Sequence, residues 1–261
     1  MNEQVERDVM EYDVLIIGGG PSGLSSAIKV KQLASAEGKD VSVCVLEKGS
    51  EIGAHILSGN VFEPTALNEL IPDWKEKEAP LNSPATKDIV KFMISENSSF
   101  NIPFPSFLIP TFNNHGNYVM SLANFTRWLA TQAESLGVEI FPGFTAAEVI
   151  FEENVVKGVL TGEMGISKDG EKKPSYQPSM ELRGKYTVFA EGCRGHLGKQ
   201  LIKKFNLDEN RDPQHYGIGF KEIWDISPED HKEGTVMHTM GWPSNGTISG
   251  SYFYHGENNQ V

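Results

Sequence analysis

Gly18, Gly20 and Gly23 stand in the G-x-G-x-x-G spacing directly behind the apolar run Tyr12–Asp13–Val14–Leu15–Ile16–Ile17. Each glycine has a mechanical task in such a turn. Gly18 makes the tight turn, Gly20 lets the backbone approach a pyrophosphate, and Gly23 lets helix and strand pack closely. Helix-forming sequence from Pro21 to about Ala34 then points its free N–H groups and positive dipole end at the phosphates. A second β-run, Val41–Leu46, ends at Glu47, 24 residues beyond Gly23 and close to the roughly 20 at which such folds place the acid that binds a ribose hydroxyl. Ala27 adds a small contact one helical turn after Gly23. Together these residues predict a nucleotide-cofactor site.

Other chemistry-bearing residues gather in two places. Gly49, Gly53 and Gly59 punctuate the stretch after Glu47, as backbone lying against a flat ring would require; an ordinary flexible loop is the alternative. Later, Glu191–Gly192–Cys193–Arg194–Gly195–His196 repeats the strand–glycine–helix logic and reads as a second backbone contact to the same cofactor. Arg127 lies off the apolar stripe of its helix, placed equally well for an anionic ligand or for solvent. His55 and His115 fall in loops expected near the cofactor, as hydrogen-bonders at least.

The elements that must position these groups follow from periodicity. Pro64–Trp74 reads as a short helix with Leu67, Leu70, Ile71 and Trp74 on one stripe, ordinarily a core stripe. Ile89–Ile94 reads as a strand within the proline-rich stretch Ala79–Pro110, where Phe104, Phe107 and Leu108 suggest a shaped loop wall. Ser121 caps a long helix with Leu122, Phe125, Leu129, Ala133 and Leu136 inward, and Gly137 ends it. Strands are expected at Val138–Phe141, Ala147–Phe151, Val155–Thr161 and Tyr186–Ala190, with Glu163–Pro178 a polar insertion. Tyr216–Trp224, Thr235–Met240 and Thr247–Tyr254 read as a separate, largely antiparallel sheet.

Net charge −12 disfavours a nucleic-acid partner. The chain carries two cysteines, Cys44 and Cys193, neither in a C-x-x-C pair, which argues against a disulfide framework and for a reducing compartment. The N-terminal stretch Met1–Glu11 shows no signal-peptide pattern.

The fold expected is α/β: a three-layer ββα Rossmann-like nucleotide-binding domain, with an antiparallel substrate sheet begun near Asp212. Which nucleotide it takes stays open from the residues alone. The chain leaves its second strand for long loops and returns late, as FAD-binding proteins of the glutathione-reductase and hydroxylase type do, whereas an NAD domain would usually continue with more regular βαβ units. In residues, 1–211 form the FAD-binding domain with an insertion at about 52–110, and 212–261 begin the second sheet.

Gly53–Gly59, Pro72–Lys77, Asn113–Tyr118 and Phe189–Leu197, with Tyr216–Gly219 and Gly241–Pro243, resemble the electron transfer flavoprotein–ubiquinone oxidoreductases. The resemblance implies a membrane-associated flavoenzyme that passes electrons from reduced electron transfer flavoprotein to ubiquinone through FAD and a 4Fe–4S cluster. It places FAD on Val14, Ile16, Gly18, Gly20, Pro21, Ser22, Gly23, Leu24, Ala27, Glu47, Lys48, Gly53, His55, Leu57, Ser58, Gly59, Arg127, Glu191 and Gly192. It places ubiquinone at Ser249 and Gly250, where the serine departs from the family's paired glycines. It also implies peripheral membrane contact through about Ile52–Asp73, which raises a lipid-facing reading of Leu67, Leu70 and Ile71 above core. The corresponding location is the cytoplasmic face of a bacterial inner membrane or the mitochondrial inner membrane. Family members are about twice as long, and their cluster cysteines and C-terminal cluster domain have no counterpart here, so an N-terminal fragment is expected. Two other readings stay open: a geranylgeranyl-reductase-like or hydroxylase-like flavoenzyme, and a non-catalytic FAD-binding fragment.

Overall fold

The computed structural model describes residues 7–57, 59–103, 112–244 and 249–261. In chain order the elements open with β1 (Val9–Ile17), α1 (Pro21–Ala36), β2 (Val43–Glu47), β3 (Asn60–Phe62) and α2 (Thr65–Leu70). Then come β4 (Ser83–Pro84), β5 (Lys87–Ser95), β6 (Ser98–Asn101), β7 (Tyr118–Met120) and α3 (Leu122–Ser135). Next are β8 (Glu139–Pro142), β9 (Ala146–Glu152), β10 (Val155–Thr161), β11 (Met164–Ile166), β12 (Lys172–Gln177) and β13 (Glu181–Phe189). The last are α4 (His196–Phe205), β14 (Thr235–Gly241) and β15 (Gly250–Tyr254). By contacts the chain divides into two compact units, residues 1–56 with 126–216 and residues 57–125 with 217–261.

The first unit is built on a six-stranded sheet in the order β8-β2-β1-β13-β10-β9. β8, β2, β1 and β13 run parallel, and β10 and β9 are antiparallel. Parallel strands covered on both faces read as unbroken apolar runs, and β1 does so: Leu15 and Ile16 are both fully buried. Ile16 faces α1 at Gly23. Leu15 and Ile17 share a cluster on the other face with Leu197 and Leu201 of α4. The sheet is therefore sandwiched, an α/β Rossmann-like arrangement as the sequence predicts. The Glu152–Asn154 hairpin forms between β9 and β10, with Glu153 and Asn154 at positive φ.

The second unit holds a four-stranded sheet, β15-β14-β5-β6, and a small sheet β3-β7-β4. β14 pairs antiparallel with β15 but parallel with β5, so half of this sheet comes from the proline-rich stretch. α2 buries Leu67, and Ile71 and Trp74 just beyond it are buried too. Leu67 and Ile71 are thus core, which corrects their lipid-facing reading. Trp74 completes the stripe edge-on to Tyr118, with ring centroids 5.7 Å apart, and donates from its indole nitrogen to Asn68 at 2.7 Å.

A further correction concerns Tyr216–Trp224, where no strand forms: among the described residues only its last residue pairs, Trp224 exchanging backbone hydrogen bonds of 2.9 Å with Val261, and backbone groups make a strand only in pairs. The polar insertion Glu163–Pro178 folds as a hairpin, β11 with β12. The loop wall expected around Phe104, Phe107 and Leu108, and the start of the Thr247–Tyr254 strand, lie outside the described residues.

Candidate functional site

β1, β2 and β13 end side by side, and their C-terminal ends bound a crevice of about 670 Å³. Ligands of open α/β sheets bind at such carboxyl ends. The turn after β1 forms one wall. Gly18 has φ +111°, and a Cβ there would lie 2.4 Å from the Ala190 carbonyl oxygen. A Cβ on Gly23 would lie 2.0 Å from the Gly18 carbonyl oxygen, so only glycine lets α1 close on the turn. Gly20 is different: a Cβ there meets nothing within 4 Å and would project into open space. Gly20 also caps α1 with Pro21 in its first turn, and no acidic side chain occupies that turn. The free N–H groups of the helix end are left for an anion.

Glu47 closes the end of β2. One carboxylate oxygen accepts from the Gly19 N–H at 2.9 Å and the other from the Gly49 N–H at 2.6 Å. A carboxylate has about four acceptor positions, so both oxygens retain a lone pair for a sugar hydroxyl.

Of the residues expected at the cofactor, Gly18, Gly20, Pro21, Ser22, Glu47, Lys48, Gly53, His55, Glu191 and Gly192 line this crevice. Ile16, Gly23, Leu24 and Ala27 are buried behind it and shape the strand–helix contact, and Val14 sits within β1. Arg127 is turned to Glu51, 3.2 Å away. Leu57 and Gly59 belong to the second unit, Ser58 lies outside the described residues, and neither Leu57 nor Gly59 borders the crevice. Ser249 is hydrogen-bonded to Ser244, and Gly250 opens β15 opposite Met240, both in the second unit.

Glu191 has a task that the sequence hides. Its carboxylate accepts from the backbone of Leu197 at 3.3 Å and Gly198 at 2.7 Å, and so caps α4. A Cβ on Gly195 would lie 2.5 Å from that of Glu191, so the glycine makes room for the cap. The crevice also gains Phe144, Thr145, Ala146, Arg194 and His196. Arg194 and His196 stand in the glycine stretch already singled out. Phe144 is placed by its N–H to the Glu47 carbonyl at 3.0 Å, a tertiary bond with no local signal.

These features define a Rossmann-like nucleotide-cofactor fold. A sequence profile described as NAD(P)-binding Rossmann-like domain matches residues 16–71, and one described as ETF-QO, ubiquinone-binding, matches residues 216–261. The electron transfer flavoprotein-ubiquinone oxidoreductase of Pseudomonas aeruginosa is 59% identical over 98% of this chain and 47% of its own. The mitochondrial protein of that name from Homo sapiens is 50% identical over 96% of this chain and 40% of its own. The chain is thus related, over nearly all its length, to the electron transfer flavoprotein–ubiquinone oxidoreductases, and it spans about half the length of those curated relatives. Among solved structures, a geranylgeranyl bacteriochlorophyll reductase-like protein from Thermoplasma acidophilum has a TM-score of 0.60. It covers 97% of this chain and 55% of its own, at 16% identity, a likeness of fold alone.

Proposed function

We propose that this chain carries the FAD-binding part and part of the ubiquinone-binding region of an oxidoreductase that takes electrons from reduced electron transfer flavoprotein and delivers them to ubiquinone. The observation that carries the reading is the open face of Gly20 at the start of α1, with Glu47 at the end of the neighbouring strand. The turn fits the diphosphate of FAD, received by backbone N–H groups, and Glu47 fits the adenosine ribose. Bound there, FAD supplies the capacity to accept and release electrons. The residues of this chain hold and orient it: Pro21 and Ser22 at the helix end, Lys48, Gly53 and His55 along one wall, and Gly192 on the other.

A 4Fe–4S cluster does not fit this chain's donors. Such a cluster takes four thiolates, and of the two cysteines Cys44 is buried with its thiol pushed up to about 12, mainly by burial, while Cys193 is exposed.

In this reading the flavin part runs over about 1–211, with 52–110 inserted, and the ubiquinone part begins near 212. Ser249 and Gly250 lie in the latter. Peripheral contact with a bacterial or mitochondrial inner membrane falls on Ile52–Asp73, where Leu57 offers an exposed apolar side chain. The test is FAD titration of the folded 261-residue chain, followed by visible absorption after desalting. Retained flavin bands, bleached by reduced electron transfer flavoprotein, support the reading. A folded chain that takes up no FAD overturns it.

A further inference from the structure

β14 runs through the middle of the second unit's sheet and through the stretch matched by the ubiquinone-binding profile. Alternation places Val236, His238 and Met240 on one face. The register sets His238 directly beside Val90 of β5 and Tyr252 of β15, and Met240 beside Phe92. Tyr252 and Tyr254 stack on that same face at 5.3 Å, and Phe92 packs on Phe100 at 5.6 Å. The face grades from one end to the other. Val236 and Val90 are buried, whereas Tyr252, Phe92 and Phe100 are exposed. His238 lies where the one gives way to the other.

His238 brings an imidazole to this largely apolar and aromatic face, which it shares with Asp88, set beside Val236. Its Nε2 is buried without a hydrogen-bond partner among the described residues, and the Phe112 ring packs against the imidazole at 5.0 Å. A buried polar atom without a partner is costly and calls for an explanation. Among the described residues, the charged group facing it is Asp88 of β5, whose carboxylate is engaged by the Asn114 backbone at 3.0 Å and side chain at 2.7 Å. Burial holds the imidazole below the ordinary histidine range, against a weaker opposing pull from Asp88. The ring is therefore neutral at pH 7, with one N–H and one lone pair.

We propose that Nε2 of His238 is the hydrogen-bonding anchor for a quinone carbonyl whose ring lies on the aromatic end of this face, beside Tyr252 and Phe92. The proposal rests on the ubiquinone reading above and adds to it a residue and a surface. A quinone is a flat apolar ring with a carbonyl at each end. The face supplies exposed aromatic area for the ring, and Nε2 of His238 supplies an unpartnered polar atom for one carbonyl. A neutral imidazole donates to that oxygen without placing a charge on the apolar face.

The test uses the folded chain and ubiquinone-1, a short-tailed quinone, with binding followed by calorimetry. The unaltered chain is expected to bind it saturably. His238→Leu keeps the apolar face and removes the donor, and is expected to weaken binding about tenfold. His238→Gln, which restores an N–H, is expected to return the affinity to within about threefold of the parent. Independently of any variant, histidine-selective 15N spectra of the unaltered chain should show the His238 imidazole signal moving with ubiquinone-1. Equal affinity of His238→Leu and parent, or an unmoved His238 signal at saturation, overturns the anchor and leaves the ubiquinone reading standing. A parent chain that takes up no ubiquinone-1 overturns both.

Discussion

Gly20 and Gly23 lie three residues apart in the same turn, yet replacing each with alanine should have opposite consequences. At Gly23 the new methyl would sit 2.0 Å from the Gly18 carbonyl oxygen and 3.2 Å from a methyl of Ile16. The first of these is backbone, fixed by the Gly18 N–H bond to the Leu46 carbonyl at 2.8 Å, so α1 must move as a body. Overpacking of this kind costs roughly 1–3 kcal/mol, and a clash against backbone belongs at the upper end. At about 3 kcal/mol the melting temperature should fall by roughly 6–12 °C for a chain of this size. At Gly20 the methyl meets nothing within 4 Å, and the backbone there is extended at φ −80°, open to any residue. Gly20→Ala should therefore melt within about 2 °C of the parent, since a surface change of this kind lies within about 0.5 kcal/mol. Its methyl does occupy the space over the helix end, so FAD affinity should drop by about tenfold or more. Melting without FAD, followed by FAD titration of both variants, gives the two readings separately. The reasoning is refuted if Gly20→Ala costs as much stability as Gly23→Ala, or if it binds FAD like the parent.

Glu47→Gln leaves a single acceptor oxygen for two backbone donors, so about 1.5–3 kcal/mol should be lost in urea unfolding, with weaker FAD binding. Glu191→Ala removes the cap from α4 and should cost about 1 kcal/mol, seen as faster amide exchange at Leu197 and Gly198 than elsewhere in the helix. His238 and His255 both titrate below the ordinary value of 6.5, each chiefly through burial, and His255 further through His231 and Lys232. The unfolded chain then binds more protons than the folded one below that value, so stability is full above it and falls as pH drops from 6.5 toward the depressed folded values. Melting curves from about pH 8 to about pH 5 should show that slope, and His255→Gln should flatten it. A pH-independent melting temperature would contradict it.

The sequence showed most where the determinants are local. The glycine spacing, the run into it and Glu47 all lie within one β–α–β passage, and the fold assembles them at adjoining strand ends. Where the partner is distant the sequence fell short. Tyr216–Trp224 has strand-like alternation, but its pairing depends on a neighbour that the alternation cannot name. The sequence left Arg127 open to an anionic ligand or to solvent, and could not name Glu51, which the fold brings 3.2 Å from it. Leu67 and Ile71 carry a stripe that suits a lipid surface or a core equally, and only their burial decides. Glu191 was legible as part of a glycine stretch, whereas its service as a helix cap depends on the way the chain turns back.

The parallel pairing of β5 with β14 has a consequence for how the molecule is made. Those two strands flank the entire passage from residue 102 to residue 234, in which α3, β8 to β13 and α4 are laid down. On the ribosome, the β5–β6 hairpin therefore emerges long before the strand that must dock along its free edge. Until then Phe92, Ile94 and Phe100 travel with an open strand beside them, the arrangement that invites capture by another nascent chain. The strands of the cofactor crevice wait too, since β1 precedes its partner β13 by a still longer passage, but β1, β2, β8 and β13 are all complete before β14 is translated. Vectorial synthesis thus favours a chain whose cofactor crevice is assembled while its second sheet is still half written.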